Sequence, residues 1–164
     1  MSKDNIEIER KWLMSGFPEQ LMELGTLETI SKQGYISCGD IEVRIREKWH
    51  SGYDRYFITF KGSGKIIREE IEFEIDRDNY LRLKRMIEKP MIVKHNKNYA
   101  IGKEILEVNL VDEGTENEFY YAEIEFETLE EAENFELDLP EVIKDVTYDS
   151  EYKIKNYWKR TRCT

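Results

Sequence analysis

Ile6-Glu7-Ile8-Glu9-Arg10-Lys11-Trp12 alternates apolar and charged residues one by one. In an extended chain successive side chains point to opposite faces, so Glu7, Glu9 and Lys11 share one face and Ile6, Ile8 and Arg10 the other. Neighbours on the charged face stand about 7 Å apart at the strand rise. Alone, such a segment reads as an edge strand with a solvated charged face. The rest of the chain repeats the alternation too often for that reading to suffice.

Residues 26–37 read as a second strand, rich in Thr, Ile and Tyr. In residues 41–49, Ile41, Val43 and Ile45 oppose Glu42, Arg44, Arg46 and Lys48. Residues 53–61 put Phe57, Thr59 and Lys61 on one face against Ile58 and Phe60. Residues 66–75 set Arg68, Glu70, Glu72 and Glu74 against Ile67, Ile71, Phe73 and Ile75. Further strands are expected at 91–100, where Lys94 and Asn96 share a face, and at 103–111, where Glu107 and Asn109 do. Residues 119–127 set Glu123, Glu125 and Glu127 against Ala122, Ile124 and Phe126, and 142–147 is a last extended piece. Between them, Gly62-Ser63-Gly64-Lys65 has the look of a phosphate loop. Ile66 stands where that loop needs Ser or Thr, and strand alternation resumes, so it reads as a hairpin turn.

Helices interrupt the strands. Pro18 suits the first turn of a short one running to about residue 24. Asp76 or Asp78 can cap another over 77–88, with Tyr80, Leu83 and Ile87 at helical spacing and Pro90 beyond it. A short helix is expected over 130–135. Asp149 can cap a last one, with Ile154, Tyr157 and Trp158 as its apolar stripe. The pattern yields about eight strands with mostly short connections, which favour antiparallel pairing and closure into a barrel without exposed edges.

The charges sort by strand. Acids cluster as Glu7/Glu9, Glu70/Glu72/Glu74 and Glu123/Glu125/Glu127; bases as Arg44/Arg46, with Lys11, Lys61 and Lys94. The ordinary barrel puts the charges outside. The inverted one lines the lumen with them and covers the apolar exterior with helices. Such a lumen needs compensation, because buried charges must be paired or neutralised. Carboxylates suit a hard divalent cation, Arg and Lys suit phosphate oxygens, and a metal-bound polyphosphate answers both.

At 164 residues one domain, 1–164, is expected, large enough for a core. Charged residues make up 37% of the chain, above the usual quarter, and the net charge of −10 argues against a general nucleic-acid surface. Cys38 and Cys163 are expected as free thiols of a reducing cytosol. The chain opens on no signal-peptide pattern and has no apolar run of membrane-spanning length, so a soluble, cytoplasmic protein is expected. His50 and His95 are read as surface residues; no His/Cys set suits zinc.

Taken in order, Glu7-x-Glu9-x-Lys11, Gln33-Gly34-Tyr35, Arg44-x-Arg46, Thr59-x-Lys61, Arg68-x-Glu70-x-Glu72, Ala122-Glu123-Ile124-Glu125 and Val146-Thr147 resemble the motif series of the CYTH superfamily, or triphosphate tunnel metalloenzymes, along nearly the whole chain. The resemblance implies an α+β fold: an eight-stranded antiparallel β-barrel, or tunnel, with a charged lumen and helices packed outside. It implies Glu7, Glu9, Glu123 and Glu125 as metal ligands for Mg²⁺ or Mn²⁺. Lys11, Arg44, Arg46, Lys61, Arg68 and Lys94 match substrate binders, and Glu70, Glu72 and Lys61 are the catalytic candidates. Two departures stand out: the family often has Lys-x-Arg where this chain has Lys94-His95-Asn96, and Asp where it has Asn109. Lys97 has the wrong parity to replace the Arg. The last helix has Glu151-Tyr152 where an Arg usually precedes the Tyr.

The expected function is metal-dependent hydrolysis of a triphosphate, foremost inorganic tripolyphosphate. The alternatives are a class IV-like adenylate cyclase making cyclic AMP from ATP, and a catalytically weak polyphosphate- or nucleotide-binding module. A glycosidase using the paired glutamates fits less well, since the matching Arg and Lys suit polyanions. The expected partner is a triphosphate-containing small molecule, with no membrane, no general nucleic-acid binding, and a dimer as one option.

Overall fold

The computed structural model describes residues 5–164, apart from the side chains of residues 26–28; residues 1–4 of the expected single domain lie outside it. Nine strands follow in sequence as β1 (Ile6–Met14), β2 (Glu23–Cys38), β3 (Glu42–His50), β4 (Tyr53–Lys61), β5 (Ile67–Ile75), β6 (Ile92–Ile101), β7 (Glu104–Val111), β8 (Phe119–Glu125) and β9 (Val142–Asp145). Helices α1 (Arg77–Ile87), α2 (Leu129–Asn134) and α3 (Ile154–Arg162) interrupt them. The hydrogen-bonded order is β5-β4-β3-β2-β6-β7-β8-β1, and β1 pairs back to β5, closing an eight-stranded antiparallel barrel. β9 lies outside the ring, against β1. The first strand therefore has three partners: residues 6–8 meet β5, 9–14 meet β8, and 12–14 meet β9.

The barrel is turned with its charges inward. Three apolar clusters sit between its outer face and the elements that cover it. Trp12, Leu106, Val108, Ala122, Ile124 and Phe126 pack beneath α2 and the segment after it. Ile92 and Val111 pack with Tyr157 and Trp158 of α3, and Ile45 packs with Tyr80 of α1. The covering is incomplete: Ile6 of β1 and Phe73 of β5 are 59% and 57% exposed. Gly34 lets α3 approach closely, since a Cβ there would stand 2.8 Å from the Met91 sulfur and 3.2 Å from the Trp158 ring.

Two expected helical features differ. No helix forms after Pro18. The chain instead runs irregularly into β2, where Met22 accepts a backbone bond from Ala100 and Glu23 pairs with Tyr99, while Phe17 meets the Tyr120 ring edge-on at 5.2 Å. Pairing with β6 outweighs the local start signal. Asp149 caps only a short 3₁₀ turn (Ser150–Tyr152), and α3 begins after Lys153. The cap of α1 is Asp76, whose carboxylate accepts the N–H of Asn79 at 2.7 Å. Cys38 and Cys163 are free thiols. His50 is exposed, and His95 is half-buried with Nε2 3.7 Å from Glu113.

α3 is held by a buried polar latch that periodicity does not reveal. Asp112, in the left-handed region at φ 48, accepts from Arg162 at 2.7 and 3.0 Å, from the Tyr157 hydroxyl, and from the Val93 N–H at 3.1 Å. Burial would raise the carboxyl, but the hydrogen bonds of Arg162 and Tyr157 hold it below its ordinary value. A depressed carboxylate contributes stability that is complete above about pH 4 and is lost as pH falls through the folded-state value. Arg162→Ala leaves that carboxylate buried and uncompensated, so a loss of about 3 kcal/mol is expected in denaturant unfolding near neutral pH. The difference from wild type should shrink in acid, below the ordinary carboxylate range.

Candidate active site in the barrel lumen

Alternation and register together build the site. Lys11 lies opposite Glu123 and Glu9 opposite Glu125 across β1 and β8; Arg44 lies opposite Thr59 and Lys61 opposite Glu70 through β3, β4 and β5. One cavity of about 280 Å³ runs through the lumen. Its lining includes every residue singled out above as metal ligand, substrate binder or catalytic group: Glu7, Glu9, Lys11, Arg44, Arg46, Lys61, Arg68, Glu70, Glu72, Lys94, Glu123 and Glu125. The lining carries as many carboxylates as ammonium and guanidinium groups.

The charges are ordered into layers. Glu72 accepts from Thr59 at 2.7 Å and from Arg46 at 3.3 Å, and lies 3.7 Å from Arg44. Lys61 bridges Glu70 at 3.0 Å and Glu7 at 3.2 Å. Arg68 joins Glu7 at 3.3 Å to Glu42 at 3.2 Å. Lys11 lies 3.6 Å from Glu123, and Lys94 donates to the Tyr121 hydroxyl at 2.5 Å. Glu70 and Glu72 therefore aim the cations of neighbouring strands. The Nε atoms of Arg44 and Arg46 are buried without a hydrogen-bond partner among the described residues, so both guanidiniums have donors to spare there.

The three inner carboxyls are pushed in different directions. Burial, reinforced by Glu123 and Glu7, pushes Glu9 well above the ordinary carboxyl range. Burial would raise Glu7 too, but Lys61, a hydrogen bond with Glu9 and Arg68 bring it down to about 2. Lys11, Glu9 and Lys94 likewise hold Glu123 low against burial. Glu9 is thus the inner carboxyl whose ionisation is opposed most, by burial and by the like charges of Glu123 and Glu7 beside it. Glu125 forms no ion pair among the described residues. Burial, followed by Glu7, Glu70 and Glu107, raises it.

The carboxyl oxygens of Glu7, Glu9 and Glu123 are hard donors of the kind a divalent cation takes. Among the described residues no three acidic, His or Cys side chains converge as a ready ligand group.

The opposite wall is neutral. Asn96 and Asn109 face each other across β6 and β7, and the Asn96 amide donates to Asn109 Oδ1 at 3.2 Å. The two departures from the family pattern thus satisfy one another. Lys97 points outward, over the Phe17 ring at 4.7 Å. Lining residues that motif spacing did not single out are Tyr121, Glu42 at the foot of β3, and Lys65 and Lys153 from two loops. Only the tertiary fold brings the last two together.

Arg10 shares the face of Ile6 and Ile8, away from the lumen, yet its side chain is only 12% exposed. It donates to the Ala132 and Phe135 carbonyls, Thr147 and Asp145, and its guanidinium lies over the Trp12 ring at 5.0 Å. Outward from the lumen here means under α2 and β9, not into solvent.

A closed eight-stranded antiparallel barrel with charged strand faces turned inward is the fold implied by the CYTH resemblance, and the chain takes it. Comparison with known proteins bears the resemblance out. The chain is similar to the inorganic triphosphatase of Nitrosomonas europaea, 37% identical over 73 residues, 43% of this chain and 42% of that one. The match therefore spans less than half the length of that curated relative. Among solved structures, the inorganic triphosphatase NE1496 superposes with a TM-score of 0.61 and 26% identity over 92% of this chain and 93% of that one. The PH1819 protein of Pyrococcus horikoshii superposes with a TM-score of 0.56 and 25% identity over 76% and 81%. No protein-family model matches the chain. No helix among the described residues is long and apolar enough to cross a membrane.

Proposed function

We propose that this protein, as a single tunnel domain, hydrolyses triphosphates with Mg²⁺ or Mn²⁺, inorganic tripolyphosphate foremost. The observation that carries this reading is the charge-balanced lumen, in which carboxylates and cations already pair with each other. A bare polyanion would compensate the cations and strand the carboxylates, and a bare metal ion the reverse. A metal-bound triphosphate replaces both sets of partners at once. The inorganic triphosphatase relatives support the same reading.

Arg44, Arg46, Lys11, Lys61, Arg68 and Lys94 hold the phosphate oxygens, Arg44 and Arg46 through forked donors that Glu72 aims. Glu7, Glu9 and Glu123 are the residues that would hold the metal, which when bound offsets negative charge on the phosphates. The water oxygen bonds to the terminal phosphorus as the bond to its bridging oxygen breaks. That electron pair leaves with pyrophosphate, and the water's proton goes to Glu125, a lumen carboxylate with no ion-pair partner among the described residues. Glu70 and Glu72 then act as aiming groups, with Lys61 stabilising charge on the transferred phosphoryl.

The test is a metal-by-substrate panel with product identification. Orthophosphate should appear from tripolyphosphate only with added Mg²⁺ or Mn²⁺, stop on chelation and return on metal repletion. Full turnover in excess chelator would exclude the reading, and cyclic AMP with pyrophosphate from ATP would replace it with a cyclase.

A further inference from the structure

Two loops meet over one end of the lumen. The β4–β5 turn and the segment following β9 are joined by two bonds in opposite directions. Lys65 Nζ donates to the Tyr148 carbonyl at 3.1 Å, and Lys153 Nζ donates to the Gly64 carbonyl at 2.6 Å. Gly64 is fixed at φ +141, where a Cβ would stand 2.1 Å from the Ile67 carbonyl oxygen, so its own carbonyl direction is set by the turn. Both lysines line the cavity. Neither forms an ion pair among the described residues. Asp149 lines the same end, but its carboxylate is engaged with the Glu151 N–H at 3.1 Å, and Glu42 is taken by Arg68. This end thus holds two cations whose partners are neutral carbonyls, the weaker kind of acceptor. An ionised phosphoryl oxygen forms a charge-assisted bond of roughly twice the strength.

We infer that Lys65 and Lys153 form an outer anion subsite that takes a phosphoryl group beyond the three held in the lumen, and so favours inorganic polyphosphate chains longer than tripolyphosphate. The inference rests on the triphosphatase reading above. It gives Gly62-Ser63-Gly64-Lys65 a phosphate contact by another route: the lysine reaches in from a hairpin tip, with no backbone cradle and no helix behind it.

The experiment compares kcat/KM for tripolyphosphate and tetrapolyphosphate in the wild type and in Lys65→Gln/Lys153→Gln. Glutamine keeps an N–H donor for each carbonyl, so the join between the loops can persist while both charges go. The tetrapolyphosphate-to-tripolyphosphate ratio should fall about tenfold and recover in Lys65→Arg/Lys153→Arg. A join that is only structural would leave the ratio unmoved, which overturns the inference. Should the double variant fail to fold, Lys65→Gln alone, at an exposed side chain, should lower the ratio about threefold, and an unchanged ratio there overturns it equally. A wild type that cleaves tripolyphosphate with an unmoved ratio defeats only the subsite. A wild type that cleaves neither substrate defeats the triphosphatase reading and this inference with it.

Discussion

Glu9→Gln is expected to abolish metal-dependent turnover, by at least about 100-fold, while metal-free thermal stability holds or rises. The two effects have opposite signs because Glu9 has two lives. Without metal it is a carboxyl whose ionisation is opposed first by burial and then by the charges of Glu123 and Glu7. A carboxyl raised above its unfolded value contributes stability in acid that is lost as pH rises toward the folded value. Glutamine is neutral at every pH and still donates a hydrogen bond. The variant should therefore match or exceed the wild type in melting temperature at neutral pH, and its melting temperature should decline less from pH 5 to pH 8. With metal, the same position must become an anionic oxygen, which glutamine cannot. Melting scans and tripolyphosphate turnover on one preparation decide the matter. A variant with wild-type turnover returns Glu9 to a mere strand residue.

The second large effect divides three strand arginines. Arg44→Ala and Arg46→Ala should each weaken phosphate binding by about 2–5 kcal/mol, read as a fall in kcat/KM, since each removes an enclosed forked donor and leaves Glu72 with one partner fewer. Arg10→Ala should instead lower unfolding stability by about 3 kcal/mol and leave KM for tripolyphosphate unchanged. Its carbonyl partners on either side of the α2 terminus, and Asp145 of β9, would lose the group that gathers them. Equal losses of KM in all three variants would mean that the inward and outward faces have been assigned wrongly.

Which face a residue takes was legible wherever charge alternates with apolar residues. That holds for β1, β3, β5 and β8, where the parity of Glu7, Arg44, Glu72 and Glu123 could be counted from one neighbour to the next. It failed where burial lies outside the barrel. Arg10 and Ile8 share a face, and nothing in a local pattern says that a helix and a ninth strand will cover one and recruit the other. Pro18 misled for a related reason. A helix-start signal is local, whereas the pairing of Glu23 with Tyr99 is set by a strand some seventy-six residues away. The latch of Asp112 to Arg162 and Tyr157 depends on where α3 docks, which no local pattern states. The mutual satisfaction of Asn96 and Asn109 likewise needs the register of β6 on β7. Taken singly in the sequence, each reads as a loss.

The three partners of β1 bear on how the protein comes into being. The strand that carries Glu7, Glu9 and Lys11 is synthesised before all three of its partners, and β5 meets it with only three residues. Its long pairing waits for β8 and β9, more than a hundred residues later. Contacts so distant in the chain form slowly, and an unpaired strand edge is exposed to wrong partners in the interval. Charged residues on such an edge discourage those partners. The same glutamates and lysine that would grip a metal and its phosphates can thus keep the nascent strand solitary until its proper neighbours have been synthesised.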